Sequence, residues 1–313
     1  MIRTIATKAA FAVVVLFIMT FLTFFLASLI PGNAATTILG QDATPERIAE
    51  LNSALGFDQP LFAQYLDWIT SALRGDLGSS LYTGESTLSV LQQRFWPTFW
   101  LATIGAAVSG VIGVAFGMFA AVRGGRASRV LDLVGILGIS LPNFWIALLL
   151  ISIVAGNLGL LPALGYNSPS DDLGGWASHL VLPVTTLALG GIALVAKQTR
   201  DAYGDALSRD FMRFLQANGF PTRALLFTHG LRYASVPIVS AISITFINMF
   251  GSTAAIESVF AIPGYGSIVT TATLNHDLAL VQGVVLAYTV VIVIATVFSD
   301  VIYALLNPKI GTR

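Results

Sequence analysis

Six uncharged apolar runs recur along the chain: Ala9–Ile30, Thr98–Val122, Leu133–Ala155, Leu180–Ala196, Val236–Ile256 and Leu278–Ser299. A helix needs about 20 apolar residues to cross the hydrocarbon core, and a spanning segment must pair its backbone groups internally. The pattern therefore predicts an all-α polytopic membrane protein with six transmembrane helices. The fourth run is the shortest. Pro183 near its start suits a first helical turn, whose N–H groups lack partners anyway. The first run exceeds a signal-peptide core and ends in no Ala-x-Ala-like site, which favours a retained helix.

The basic residues fall on alternate sides of these runs. One side collects Arg3, Lys8, Arg123, Arg126, Arg129, Lys197, Arg200, Arg209, Arg213, Arg223, Arg232, Lys309 and Arg313; the other has Arg47, Arg74 and Arg94. By the positive-inside rule the richer side is cytoplasmic, with both termini on it. Residues 1–30 then form a cytoplasmic tip and the first span. Residues 31–97 form an external region, too long for a simple connection, in which Pro45–Leu55 and Leu61–Leu73 predict short helices. Residues 98–313 form a core of five spans. Seven of the ten charges in 31–97 are acidic, which reads either as a solvated face or as a docking surface for an external partner.

Composition sharpens the class. The chain is 55% hydrophobic and 10% charged, against about 25% charged for soluble domains. Its formal net charge of zero gives no pull toward nucleic acid. With no cysteine, thiolate metal sites and Cys nucleophiles are excluded. The three histidines, His179, His229 and His276, all lie outside the apolar runs, so no metal site is expected.

No ionisable residue lies near the middle of any run. Ion-coupled transporters usually place such groups there, although sodium sites built from backbone can avoid them. An intramembrane serine protease is disfavoured, because Ser140 lacks a Gly-x-Ser-x-Gly setting and an intramembrane base. A Walker A loop needs Gly-Lys-Ser/Thr, and none of Lys8, Lys197 and Lys309 follows a glycine. If the protein pumps, another chain hydrolyses the nucleotide. In the second run Gly105, Ser109, Gly113, Gly117 and Ala121 recur every four residues, a stripe that lets a helix approach closely. It serves either packing within the chain or a shared pathway or dimer seam.

The longest basic stretch between two spans, Lys197 to Arg232, lies on the cytoplasmic side, within the loop 197–235. Ser208 is placed to cap a short helix ending at Ala217, which Asn218-Gly219 closes in left-handed geometry, and Pro221 permits a new start at Thr222. Phe211, Phe214 and Leu215 would share an apolar face, with Arg209 and Arg213 beside it. This is either an interfacial helix or a knob for a soluble partner.

The segment Asp210-Phe-Met-Arg-x-x-x-Ala-Asn-Gly219-Phe-Pro-x-Arg-x-x-Leu-x-x-His229-x-Leu-Arg-x-x-x-x-Pro237 resembles the EAA loop of ABC-importer permeases, in their dipeptide/oligopeptide branch. Further blocks resemble that branch in order: Leu55-Gly-Phe-Asp-Gln-Pro-Leu, Gln64-Tyr-Leu, Arg74-Gly-Asp-Leu-Gly78, Ser140-Leu-Pro142-x-Phe-Trp, Glu257-x-Val-Phe-x-x-Pro-Gly264 and Asp300-x-x-Tyr-Ala-Leu-Leu-Asn-Pro308. The chain departs where Leu215-Gln-Ala217-Asn218 replaces the usual Ala-x-Ala-Lys, and where Asn307 replaces a common Asp.

The resemblance implies a type I ABC importer permease in a bacterial or archaeal cytoplasmic membrane. Its partners would be a second permease, two ATPase subunits or a fused pair, an extracytoplasmic substrate-binding protein and the lipid bilayer, with no nucleic acid. It implies no catalytic site, cofactor or metal in this chain, since ATP and Mg would be bound by the ATPases. Coupling would fall to Asp210, Phe211, Arg213, Phe214, Ala217, Gly219, Phe220, Arg223 and His229. Di- and oligopeptides are the implied cargo, with nickel chelates, glutathione or another small solute as alternatives. An ion-coupled secondary transporter and a non-transporting scaffold are the readings from other classes.

Overall fold

The computed structural model describes residues 2–29 and 34–306. Lys309, Arg313 and the Asn307-Pro308 ending lie outside the described residues, as do 30–33 and the side chains of Arg3 and Lys8. Among the described residues the chain is helical, with one isolated bridge between Ser79 and Ser86. Five helices are long and apolar enough to cross a membrane: α1 (Ile2–Ser28, by its part Ala10–Ser28), α5 (Thr87–Arg123), α8 (Leu173–Ser208), the continuous stretch Ala224–Phe260 that contains α10 (Leu231–Phe260), and α12 (Leu278–Leu306).

The run expected as a third span, Leu133–Ala155, is not one helix. It divides into α6 (Gly125–Ser140) and α7 (Asn143–Leu150), and α7 continues as a π-helical turn, Ile151–Asn157. The break is Leu141-Pro142: Pro142 is extended, with φ −61° and ψ 134°. Its ring disfavours helix at the preceding residue, and it has no N–H to donate. Pro183 departs from expectation in a different way. The fourth helix starts at Leu173, capped by Asp172 Oδ1 accepting the Gly174 N–H at 3.0 Å, so Pro183 lies inside α8.

The chain divides into two compact units, Met1–Pro97 with Pro263–Val293, and Thr98–Ile262 with Ile294–Arg313. In the first, the short helices expected on the external side are α2 (Ala34–Leu39), α3 (Pro45–Ala54) and α4 (Leu61–Leu73). Thr44 caps α3 by accepting from Arg47 N, and Pro45 occupies the first helical position. Tyr65 fixes α4 to α1: its hydroxyl meets that of Thr20 at 3.0 Å and its ring packs edge-on against Phe21 and Phe24. The short helix α11 (Tyr265–Leu274) leads to Asp277, which caps α12 and accepts a 2.5 Å hydrogen bond from the Ser80 hydroxyl. Val90, Ala272, Leu280 and Val281 form the apolar centre of this unit. Burial pushes the Tyr265 phenol up to about 12, so it stays neutral.

In the second unit α10, α6 and α7 pack against α8, and α5 meets α8 at Gly113 and Gly117 and α10 at Gly110. At one end the Thr98 hydroxyl donates to the fully buried Glu257 carboxylate at 2.7 Å. Just beyond, Ala261 adopts a left-handed conformation (φ 54°) and the Ile262 N–H reaches the Glu257 carbonyl at 2.8 Å, closing α10. At the other end Tyr203, Ala234 and Ile238 form a buried cluster.

Candidate coupling surface

α8 ends at Ser208 and α9 (Asp210–Ala217) begins after a single extended residue, Arg209. The expected Ser208 cap is not made. Its hydroxyl donates back to the Asp205 carbonyl at 2.8 Å, and Arg209 occupies the capping position without a side-chain cap. The far end closes with Gly219 at φ 79°. Phe220 N–H reaches the Leu215 carbonyl at 3.2 Å and Gly219 N–H the Gln216 carbonyl at 3.0 Å, the paired bonds of a Schellman motif. Asn218 Nδ2 adds a bond to the Phe214 carbonyl at 2.8 Å.

The helix resumes at Thr222, and Ala224–Gly230 is π-helical before α10 begins. Tyr203, fully buried in α8, donates its hydroxyl to the Leu226 carbonyl inside the π turn at 2.9 Å. Gly230 lies against the same ring: a Cβ there would sit 3.0 Å from it. The bend between α9 and α10 is thereby keyed to α8.

The faces of α9 differ from expectation. Met212 is the buried residue and Leu215 is half-buried, whereas Phe214 is 68% exposed. Phe211 stacks at a tilt on Tyr233, ring centres 5.5 Å apart. Arg209 lies over the same Tyr233 ring at 5.7 Å and pairs with Asp205 at 2.9 Å, a contact that holds its guanidinium above the usual range. Arg213 and Asp210 stand 4.0 Å apart and are almost wholly exposed, so their pairing contributes little. Phe220 packs edge-on against His229 at 5.7 Å. Ala217 and Arg223 are exposed. A cleft of about 640 Å³ is lined by Asp205, Phe211, His229, Arg232 and Tyr233. The surface is thus a short helix held from behind by Met212, with Phe214 projecting outward and basic groups around it.

The small-residue stripe of α5 faces helices of the same chain. Side chains built on Gly113 and Gly117 would meet Val195 at 2.8 Å and the Ala196 carbonyl at 2.5 Å, both on α8. Gly105 lies against Met249 and Leu187, and the buried Ser109 donates to the Ala188 carbonyl at 3.2 Å. A further contact has no signal in the sequence pattern. Arg200 of α8 pairs with Asp132 of α6 at 2.5 Å and donates to the Ser128 hydroxyl at 3.0 Å. His, Asp and Glu form no group able to hold a metal ion among the described residues.

Residues 113–312 match the family described as binding-protein-dependent transport system inner membrane component, and residues 1–102 match its N-terminal membrane component. The chain is 37% identical over 309 residues to "Probable peptide ABC transporter permease protein y4tP" of Sinorhizobium fredii, covering 98% of this chain and 97% of the relative. It is 33% identical over 296 residues to a glutathione transport system permease of Escherichia coli, covering 94% of each. Among solved structures, an inward-facing MetNI methionine ABC transporter chain aligns with a TM-score of 0.56 at 16% identity, covering 70% of this chain and 97% of that one. This last likeness concerns the fold alone.

Proposed function

The chain belongs to the family of binding-protein-dependent transport system inner membrane components, the permease subunits of ABC importers, and from that premise we propose how it works. It pairs with a second permease to form a translocation pathway for short peptides. Two ATPase subunits, or a fused pair, bind the cytoplasmic face and supply the energy, and this chain holds no nucleotide itself. An external substrate-binding protein delivers cargo to the opposite face, where residues 31–97 lie. Both termini are cytoplasmic, and α6 with α7 completes a sixth, broken span. The membrane is the cytoplasmic membrane of a bacterium or archaeon.

The observation that carries this reading is α9. A projecting Phe214, a turn locked by Gly219 and a root keyed to α8 through Tyr203 make a rigid knob on the face that the charge pattern assigns to the cytoplasm. Phe214 and the half-exposed Phe211 would fill a groove on the ATPase, with Asp210, Arg213, Arg223 and His229 at its rim. When the ATPases close on ATP, the knob moves and carries α8 and α10 with it. Peptide cargo is favoured by the Sinorhizobium relative. Glutathione, itself a tripeptide derivative, is the second reading, favoured by the Escherichia relative.

Gly219→Val tests the coupling role. A β-branched residue at φ 79° is strained by about 1–2 kcal/mol, and relieving that strain displaces the knob. We expect membrane insertion and pairing with the second permease to persist, with substrate-stimulated ATP hydrolysis and uptake lost. Unchanged uptake would refute the assignment.

A further inference from the structure

The unit that contains the external helices encloses a cleft of about 230 Å³, bounded by Phe24 of α1, the 55–59 turn, α4, Leu81 and the first turns of α12. Most of its wall is apolar, with Phe24, Phe57 and Trp68 as the large rings. One wall residue does not fit that description. Gln282 is fully buried, and neither its Oε1 nor its Nε2 has a hydrogen-bond partner. The Trp68 indole N–H, also buried, is equally without one. Gln64, on the same wall, shows the ordinary outcome: its amide donates to the Gln59 carbonyl at 2.8 Å and to the Phe57 carbonyl at 3.3 Å.

Buried polar groups are nearly always paired. Here one carboxamide, with a donor and an acceptor, and one indole donor border the same cleft. Asp67, exposed on the cleft wall, adds a carboxylate with no ion-pair partner among the described residues. These groups match an α-amino amide. Its carbonyl accepts from Gln282 or Trp68, its amide N–H donates to Gln282, its ammonium faces Asp67, and an apolar side chain lies against the aromatic rings.

We propose that this cleft is a binding subsite for the N-terminal residue of a short peptide, read by Gln282, Trp68 and Asp67. It rests on the peptide-cargo reading above and adds to it that the permease itself contacts cargo, before the pathway, on its outer side. An apolar residue with a free amino terminus binds best, and an acetylated terminus loses the Asp67 contact.

The test uses the assembled importer, permease pair with ATPases, in nanodiscs without the binding protein. Leucinamide and N-acetylleucinamide are the probes, and binding is read by calorimetry. We expect leucinamide to bind the wild type. Gln282→Met, which keeps the length and loses both polar atoms, should weaken binding about tenfold, the equivalent of one lost hydrogen bond. Asp67→Asn should weaken leucinamide binding and leave N-acetylleucinamide unchanged. The proposal is overturned if leucinamide does not bind, or if Gln282→Met binds it as wild type does while melting at a higher temperature, the behaviour of a cleft that holds only water. ATP-driven peptide uptake, measured in parallel with the binding protein present, separates the two readings. Uptake without leucinamide binding overturns the subsite alone. Binding that depends on Gln282, without peptide uptake, overturns the cargo assignment and leaves the subsite standing.

Discussion

A single methyl group at Gly117 is the sharpest perturbation available to the helical core. Built there, a Cβ lies 2.5 Å from the Ala196 carbonyl oxygen, 2.6 Å from Thr199 Cβ and 3.0 Å from Arg200 N. Comfortable contact needs about 3.5 Å, and two of these atoms are backbone, so no rotamer change relieves the clash. α5 and α8 would have to separate by roughly 1 Å at this level. Overpacking of this kind costs about 1–3 kcal/mol, partly offset by the gain of about 1 kcal/mol from replacing helical glycine by alanine. Gly117→Ala should therefore lose about 0–2 kcal/mol net, and stand about 1–3 kcal/mol below a helical Gly→Ala change that meets no clash. Gly135→Ala is the control, because nothing lies within 4 Å of its Cβ, and it should show the propensity gain alone. The assay is thermal unfolding of the two variants and wild type, assembled with the same partners in the same detergent. If Gly117→Ala melts as high as Gly135→Ala, the stripe does not pack against α8 and the reasoning fails.

Other consequences follow at smaller scale. Tyr203→Phe removes the hydroxyl that reaches the Leu226 carbonyl; we expect a loss of about 1–2 kcal/mol and faster amide exchange confined to 224–230 and its neighbours, and unchanged exchange would refute the keying of the π turn. Asp132→Asn should weaken the α6–α8 contact by less than about 1 kcal/mol, because the aspartate is 47% exposed. A double-mutant cycle with Arg200→Gln should show that coupling shrinking with added salt. Glu257→Gln keeps an oxygen able to accept from Thr98 and should retain most activity. Glu257→Leu removes the acceptor of the buried Thr98 hydroxyl and should cost about 1–3 kcal/mol more, read as a lower melting temperature of the assembled complex.

Much of this architecture is legible in the order of residues, because lipid imposes a simple pattern. Apolar runs locate the long helices, and Asn218-Gly219 marks the closure of α9 because few other residues adopt the left-handed conformation. What escapes is where helices end. α5 begins at Thr87 and α8 extends from Leu173 to Ser208, because outside the hydrocarbon a helix tolerates charge and an apolar window sees only its lipid-facing middle. Pro183 looks like a starting point for the same reason, yet it lies inside a helix, as Pro97 and Pro237 also do. The phase of α9 is a second case. Phe211, Met212, Phe214 and Leu215 fall within an arc of about 160° at 100° per residue, so periodicity finds the apolar side of α9 but not which of the four turns inward. Tyr233, Arg209 and the neighbouring helices choose it, turning Met212 inward and leaving Phe214 outside. The Arg200–Asp132 pair joins residues 68 positions apart, a separation at which no local pattern exists.

The uninterrupted stretch Ala224–Phe260 carries one more implication. It puts His229, near α9, and Glu257, bonded to Thr98, on the same rod of 37 residues. Each residue advances a helix by about 100° and 1.5 Å, so the angle between its two ends is fixed by counting. Deleting one residue anywhere between them would leave either the His229 or the Glu257 contact facing the wrong way. The π turn lies at the His229 end of the rod, where i→i+5 bonding holds about one more residue per turn than α-helix does, so it sets how the rod leaves α9. In this rod, chain length acts as an angular setting.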